Sequence, residues 1–302
     1  MDTSPAHGPD LMTGSAHVPD LGIVVITRDR RASLLRTLER LTGLPERPPV
    51  VVVDNASRDG TAEAVRARYP RVRVLRPGRN LAAAGRTYGA AALRTPYIAF
   101  SDDDSWWEPG ALGRAVRILR AHPRVGLLAA SLLVGAEERP DPLNALLGTS
   151  PLGREPDLPG RSVLGFLACA SVVRRDAYLQ AGGFHPLLGV GGEESLLAID
   201  LAAHGWGVVH CPEVVAHHDP HTGPRPGREA RMLRNALLTT WLRRPAGTAL
   251  AATVRLAADG RRDPAARKAL SEAVRLLPAA LSRRRPAPAR LERRLRLLES
   301  AP

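Results

Sequence analysis

Only two cysteines occur in the chain, Cys169 and Cys211. Both lie in apolar, strand-like segments, which reads as buried reduced thiols rather than a disulfide framework. Aromatic residues make up 4% of the sequence, too few to suggest the stacking platform of a nucleic-acid binder. Lysine is nearly absent: Lys268 is the single one, so arginine carries the basic charge, a bias that reflects genome composition more than function. No G-x-G-x-x-G follows the first apolar run, and no G-x-x-x-x-G-K-[ST] occurs anywhere, which argues against dinucleotide and P-loop sites. The longest near-apolar runs, 125–136 and 162–173, are too short to cross a bilayer. The N-terminus lacks the basic start and apolar core of a secretory signal. The expectation is a cytoplasmic protein, with peripheral association at the inner face of a membrane left open.

What is present is a chain of 302 residues, 44% hydrophobic and 24% charged, enough to bury one large core or two smaller ones. Its net charge of +13 is unevenly placed. Residues 1–224 hold 24 arginines and 24 acidic residues, whereas 225–302 hold 19 basic and 6 acidic residues. The whole excess therefore belongs to the tail, which suits an anionic membrane surface, a nucleic acid or an acidic partner. Lacking a recognisable motif, the nucleic-acid reading is disfavoured. Residues 1–20 are rich in Pro, Gly, Ala, Asp and His without apolar periodicity and read as a disordered leader.

From Leu21 strands and helices alternate. Apolar runs at 21–27, 50–53, 72–75, 97–101 and 125–131 read as strands, and helical spacing covers 32–41, 59–68, 82–93 and a stretch from Pro109. Residues 135–160 read as a surface excursion, 163–173 as a strand, 193–203 as a helix and 207–217 as short strands. After 220–227 the chain is helical and basic. This alternation predicts a doubly wound, mainly parallel α/β domain over 21–224 and a helical extension over 225–302.

In such a sheet, ligands bind beyond the carboxyl ends of the strands. That rim collects Thr27 and Arg30 after the first strand, Asp54 and Ser57 after the second, and Asn80 after the third. A carboxylate there hydrogen-bonds a ribose or base edge, and arginines hold phosphate oxygens bidentately. Asp102, Asp103 and Asp104 follow the fourth strand. Three adjacent carboxylates at a strand end repel one another unless something positive offsets them. A hard divalent cation, Mn²⁺ or Mg²⁺, carrying a phosphate-bearing substrate meets that need with oxygen ligands.

The segment Val51-Val52-Val53-Asp54-Asn55-Ala56-Ser57-Arg58-Asp59-Gly60-Thr61 resembles the nucleotide-binding segment of glycosyltransferase family 2. Asn80-Leu81-Ala82-Ala83-Ala84-Gly85-Arg86, followed by Gly89, is similar to that family's next block, and Asp102-Asp103-Asp104 to its D-x-D metal motif. Gly191-Gly192-Glu193-Glu194 with Asp200-Leu201 resembles the late acidic motif, and His217-His218 the histidine that closes the site. Five blocks in order, over roughly 21–224, carry the resemblance.

It implies a GT-A fold and an inverting transfer of sugar from a nucleoside diphosphate sugar to a glycan, lipid-linked or small-molecule acceptor. By the same mapping Asp104 binds the metal, Asp102 contacts the nucleoside or the metal's water shell, and His217 or His218 completes the ligand set. Arg86 binds phosphate or caps a helix, and Asp103 belongs to the donor-binding acidic motif. Glu194 deprotonates the acceptor hydroxyl, with Glu193 as a substitute. The chain departs from the family where an Asp is usual at Glu194 and where the first loop reads Thr27-Arg28-Asp29-Arg30. Nucleotidyl transfer to a sugar phosphate uses a similar sheet, but with a glycine-rich basic first loop that 27–31 lacks. The non-enzymatic alternative is a binding module whose basic tail engages nucleic acid or membrane.

Overall fold

Runs of β-branched residues without polar alternation make strands buried on both faces. A computed structural model describes residues 20–220, 223 and 226–300; the expected leader lies outside the described residues apart from Asp20. In chain order come β1 (Leu21–Thr27), α1 (Arg31–Thr42), β2 (Val50–Asp54), α2 (Thr61–Arg68), β3 (Arg73–Leu75) and α3 (Gly85–Ala92). Next are β4 (Tyr97–Asp102), β5 (Ser105–Trp107), α4 (Ala111–Ala121), β6 (Val125–Val134), β7 (Arg139–Pro140), α5 (Pro142–Gly148) and β8 (Arg161–Ser162). Then follow β9 (Ser171–Arg174), α6 (Arg175–Gln180), α7 (Glu193–Ala203) and β10 (Gly207–His218). Four helices finish the described chain: α8 (Arg228–Arg243), α9 (Ala246–Asp259), α10 (Pro264–Leu281) and α11 (Ala289–Ser300).

The sheet order is β3-β2-β1-β4-β9-β6-β10-β5. Strands β3, β2, β1 and β4 run parallel, as do β6 and β10, with β9 antiparallel between the two groups. Helices α1 and α4 cover one face through Leu34, Leu38, Leu112 and Leu119. Helices α3, α6 and α7 cover the other through Ala90, Tyr178, Leu197 and Leu201. The doubly wound architecture expected from the alternation is therefore the one observed. Register levels the strand ends: Thr27 lies opposite Asp54, and Ile26 opposite Asp102. Gly89 lets α3 approach this sheet, since a Cβ there would stand 2.5 Å from Val24 and 2.9 Å from Val53.

Three elements differ from expectation. The strand read over 163–173 is β9 alone: the Val163 amide still bonds the Val208 carbonyl of β10 at 2.9 Å, but 164–170 packs against the sheet without joining its ladder. The excursion 135–160 contains α5, started by Asp141 as N-cap and Pro142 at the first position. The strands around 207–217 form one strand, β10, interrupted by an irregularity between Cys211 and Val215. The two cysteines are free and buried.

Helix α7 is buried over Leu196–Leu201, with Ser195 its one exposed residue, as expected of a largely apolar helix packed on several sides. Leu197 and Leu201 face the sheet, Leu196 faces α8 to α10, and Ile199 meets α11. Polar contacts fix α8 on it. The fully buried Asn235 donates to the Gly191 carbonyl at 2.7 Å, Arg234 donates to the Leu188 carbonyl at 2.7 Å, and Arg243 holds Asp200 through both carboxylate oxygens. Part of the basic charge of the tail is thus paired internally, Arg244 with Glu292 at 2.6 Å and Arg234 with Glu272 at 3.0 Å.

Candidate active site

The rim loops hold unusual backbone. Of the five non-glycine residues with positive φ among the described residues, Asp29, Ala56 and Ala82 lie after β1, β2 and β3. Strain of this kind concentrates where a loop must present groups to a ligand. Asp29 donates its amide to the Ser57 hydroxyl at 2.9 Å, while its carboxylate accepts the Arg58 amide at 2.7 Å, so the first two loops are stitched together. Asn55 ties in the third, accepting the Leu81 amide at 3.0 Å and donating to the Ala82 carbonyl at 3.3 Å. Asn80 accepts the Ala82 amide at 2.8 Å.

These loops surround a cavity of about 320 Å³ lined by Thr27, Arg28, Arg30, Asn55, Asn80, Arg86, the three aspartates and His218. Asp54 and Ser57 are not brought to its wall. The Asp54 carboxylate is fully buried, accepting the Ser57 amide at 2.8 Å and facing Arg76 at 3.4 Å. The neighbouring Asn55, rather than Asp54, reaches the cavity.

Pairing of the short β5 with β10 decides the acidic corner. It sets His218 opposite Ser105 and His217 opposite Trp106. Asp104 Oδ1 then stands 3.2 Å from His218 Nε2, and Asp104 Oδ2 accepts from Arg30 at 2.8 Å. His217 projects elsewhere, stacked on Trp106 with ring centroids 5.5 Å apart and facing Glu138 at 3.4 Å. Arg40 also lies over the Trp106 ring, 3.7 Å from its centroid. Trp107 is buried in the core.

Asp103 is buried, bonded by the Thr27 hydroxyl at 2.8 Å and facing Arg30 at 3.3 Å. Burial and the negative charge of Asp104 push its carboxyl up to about 7, against the pull of Thr27 and Arg30. Among the described residues, no three His, Cys, Asp or Glu side chains stand in metal-holding geometry. One carboxylate oxygen and one imidazole nitrogen do converge, at Asp104 and His218. That donor pair fits a cation such as Mn²⁺ or Mg²⁺ that fills its other positions with water and phosphate oxygens.

Arg86 connects this corner to the late acidic motif. It is almost wholly buried, bonds Asp102, lies 3.9 Å from Glu193 and sits 5.2 Å over the Phe184 ring. Burial opposes its charge, but Asp102, Glu193 and Glu194 more than offset that and hold its pKa above the ordinary value. Its Nε and one terminal nitrogen have no hydrogen-bond acceptor among the described residues. Both cavities at this rim reach it. Replacing Arg86 by Met leaves Asp102 and the buried Glu193 without their cation. The variant should lose about 3 kcal/mol of stability in urea unfolding; an unchanged midpoint would remove Arg86 from this role.

The second cavity, about 840 Å³, adjoins the first through Arg86, Asp102, Val190 and His218. Gly191 and Gly192, both with positive φ, turn the chain into α7 and present Glu193 and Glu194 in its first turn. Glu193 is 2% exposed and accepts the Gly191 amide. Burial raises its pKa, and Arg86 pulls it back. Glu194 is half-buried on the cavity wall. Lost hydration, then the adjacent Glu193, pushes its carboxyl up to about 8. Arg228, Arg231 and Met232 of α8 line the same cavity. The sequence offered no signal for their presence, since they belong to the tail.

Comparison with known proteins gives the family and the fold. The model of glycosyl transferase family 2 matches residues 22–181. The N-acetylglucosaminyl-diphospho-decaprenol L-rhamnosyltransferase of Mycobacterium tuberculosis is 29% identical over 244 residues, covering 68% of this chain and 78% of that protein. Among solved structures, the mannosyltransferase PcManGT from Pyrobaculum calidifontis, in complex with GDP-Man and Mn²⁺, superposes with TM-score 0.59. It is 20% identical, over 94% of this chain and 87% of that one. S. aureus TarS 1-349, in complex with UDP-GlcNAc, gives TM-score 0.54 at 15% identity over 73% and 66% of the two chains. These structural likenesses show the fold, a GT-A type sheet with helices after it.

Proposed function

Because the chain belongs to glycosyl transferase family 2, we propose that its cleft moves a sugar from a nucleoside diphosphate sugar to an acceptor hydroxyl, with inversion and with help from a divalent cation. The observation that carries this reading is one continuous cleft holding Asp104 and His218 at one end and the half-buried Glu194 at the other. Relatives of this fold bind GDP-Man with Mn²⁺ and UDP-GlcNAc, which supports the same donor class here.

In this reading Thr27, Arg28, Asn55 and Asn80 line the nucleoside end. Asp104 and His218 hold the cation, which when bound neutralises charge on the leaving diphosphate. Asp102 stays fixed by Arg86, and the unsatisfied Arg86 donors face the anionic donor. Glu194 takes the proton of the acceptor hydroxyl, its raised pKa matched to that task. Glu193 is sequestered by Arg86 and the Gly191 amide, so a single carboxylate serves the reaction. One displacement with one base inverts the anomeric carbon, whereas a double displacement needs a nucleophilic carboxylate as well. Proton NMR of the product should show the anomeric configuration opposite to the donor's; retention would overturn the single-displacement account.

For the acceptor we infer a sugar diphosphate on a lipid. The M. tuberculosis relative is named for such an acceptor. Arginines Arg228 and Arg231, with the exposed Met232 and Val190, give this cleft both cationic and apolar walls. No helix among the described residues is long and apolar enough to cross a membrane, so a lipid-linked acceptor would be met at an anionic membrane surface, through the basic residues of 225–302.

A further inference from the structure

Nine large apolar side chains are exposed among the described residues, and six of them lie on α8 to α11. That is the same quarter of the chain that carries the entire net charge. Within it, α9 is distinctive. One side is seated on the bundle through Leu256 and Ala252, and Thr253 accepts a hydrogen bond from Trp241 at 3.0 Å. The opposite side presents Gly247, Leu250, Ala251, Val254 and Ala258, all exposed, at the spacing of one helical face. Leu250 is 59% and Val254 62% exposed.

The C-terminal end of this stripe is basic. Arg255 flanks it, and Arg261 and Arg262 follow it, all exposed, with Asp259 and Asp263 the acidic residues nearby. Because α9 returns along α8, its basic end lies beside the first turns of α8. Glu229 and Leu233 of α8 share a cavity of about 620 Å³ with Ala258, Asp259 and Arg261. Lys268 of α10 reaches the same place, its ammonium 3.5 Å from where a Cβ on Gly227 would stand. Those first turns of α8 are the ones that line the cleft with Arg228, Arg231 and Met232.

We propose that the outer face of α9 lies flat in the interface of an anionic bilayer, with the basic cluster at its C-terminal end holding lipid headgroups at the mouth of the active-site cleft. The helix has 14 residues, about 21 Å, too short to span a hydrocarbon core of about 30 Å but suited to lying in its interface. An apolar stripe beside arginines matches a surface that offers both acyl chains and negative headgroups. A nucleic acid would satisfy the arginines and leave the stripe uncovered. A second copy of the chain would cover the stripe while bringing two surfaces of the same sign together.

The inference deepens the membrane reading above and is tested apart from it. The full chain is sedimented with phosphatidylcholine vesicles, with and without phosphatidylglycerol, beside the double variant Leu250→Ser with Val254→Ser. The wild type should bind the anionic vesicles, less so at high salt, and the variant should bind about 10-fold more weakly. Both positions are on the surface, so the variant's melting temperature should be unchanged. Equal sedimentation of the two proteins would overturn the proposal. So would equal binding of the wild type to neutral vesicles, or a dimer in ultracentrifugation that the variant abolishes. Vesicle binding without any sugar transfer would instead count against the enzymatic reading alone.

Discussion

Glu194→Gln should lower kcat by about 10³-fold while leaving donor binding intact, because the amide keeps the shape of the carboxylate but cannot take a proton. The pH dependence sharpens this expectation. A base must be unprotonated to act, and burial with the adjacent Glu193 holds the Glu194 carboxyl at about 8. The kcat/KM of the wild type should therefore rise with pH and level off above about 8, and that limb should vanish in the variant.

Stability carries the opposite sign. A folded-state pKa raised from 4.5 to about 8 means that the folded protein keeps a proton that the unfolded chain has released. The stabilisation present below 4.5 is lost as pH rises toward 8. Urea midpoints measured across that window should fall less steeply for Glu194→Gln than for the wild type. A variant with full activity and the same pH limb would remove Glu194 from the chemistry and return attention to Glu193.

Asp104→Ala should reduce transfer by about 10³-fold and abolish its stimulation by Mn²⁺, since a bound cation contributes several kcal/mol to the departure of a diphosphate. The fold should survive the change. Asp104 is one of three adjacent carboxylates, and its charge is, after burial, the main reason the Asp103 carboxyl sits at about 7. Removing it relieves that repulsion, and Arg30 keeps its contact with Asp103. Melting curves should show no loss of stability while the metal response disappears. Undiminished, Mn²⁺-stimulated activity in Asp104→Ala would refute the metal assignment.

Much of the rim was legible because strands β1, β2 and β4 are unbroken apolar runs whose ends carry the polar residues. What could not be read depends on pairing between distant residues. Strand β5 spans three residues, too few for periodicity to register, yet its pairing with β10 separates His218 from His217. Arg30 meets Asp104 across 74 positions, and nothing local announces it. Asp54 has the position of a nucleotide contact, but its own turn buries the carboxylate under Ser57 and Arg76, and the neighbouring Asn55, also buried, lines the cavity instead. Within 135–160, read as a surface excursion from its Pro, Gly and charged residues, the structure starts α5 at Asp141 and Pro142. The tail reads as a helical basic extension offering its charge to an anionic partner, whereas Arg234, Arg243 and Arg244 are held by acids 38 to 55 positions away. Only tertiary packing reveals that α8 is a wall of the cleft.

The most direct test of the account is the melting temperature of the purified chain against a panel of uridine, guanosine and thymidine diphosphate sugars, with and without Mn²⁺. A ligand that binds only the folded state stabilises it by about 2.7 kcal/mol at a hundred times its Kd. The account predicts that one nucleotide class raises Tm, that the rise requires Mn²⁺, and that it is absent in Asp104→Ala. No rise with any donor, or an equal rise without metal and in the variant, would contradict a metal-assisted nucleotide-sugar site on this rim.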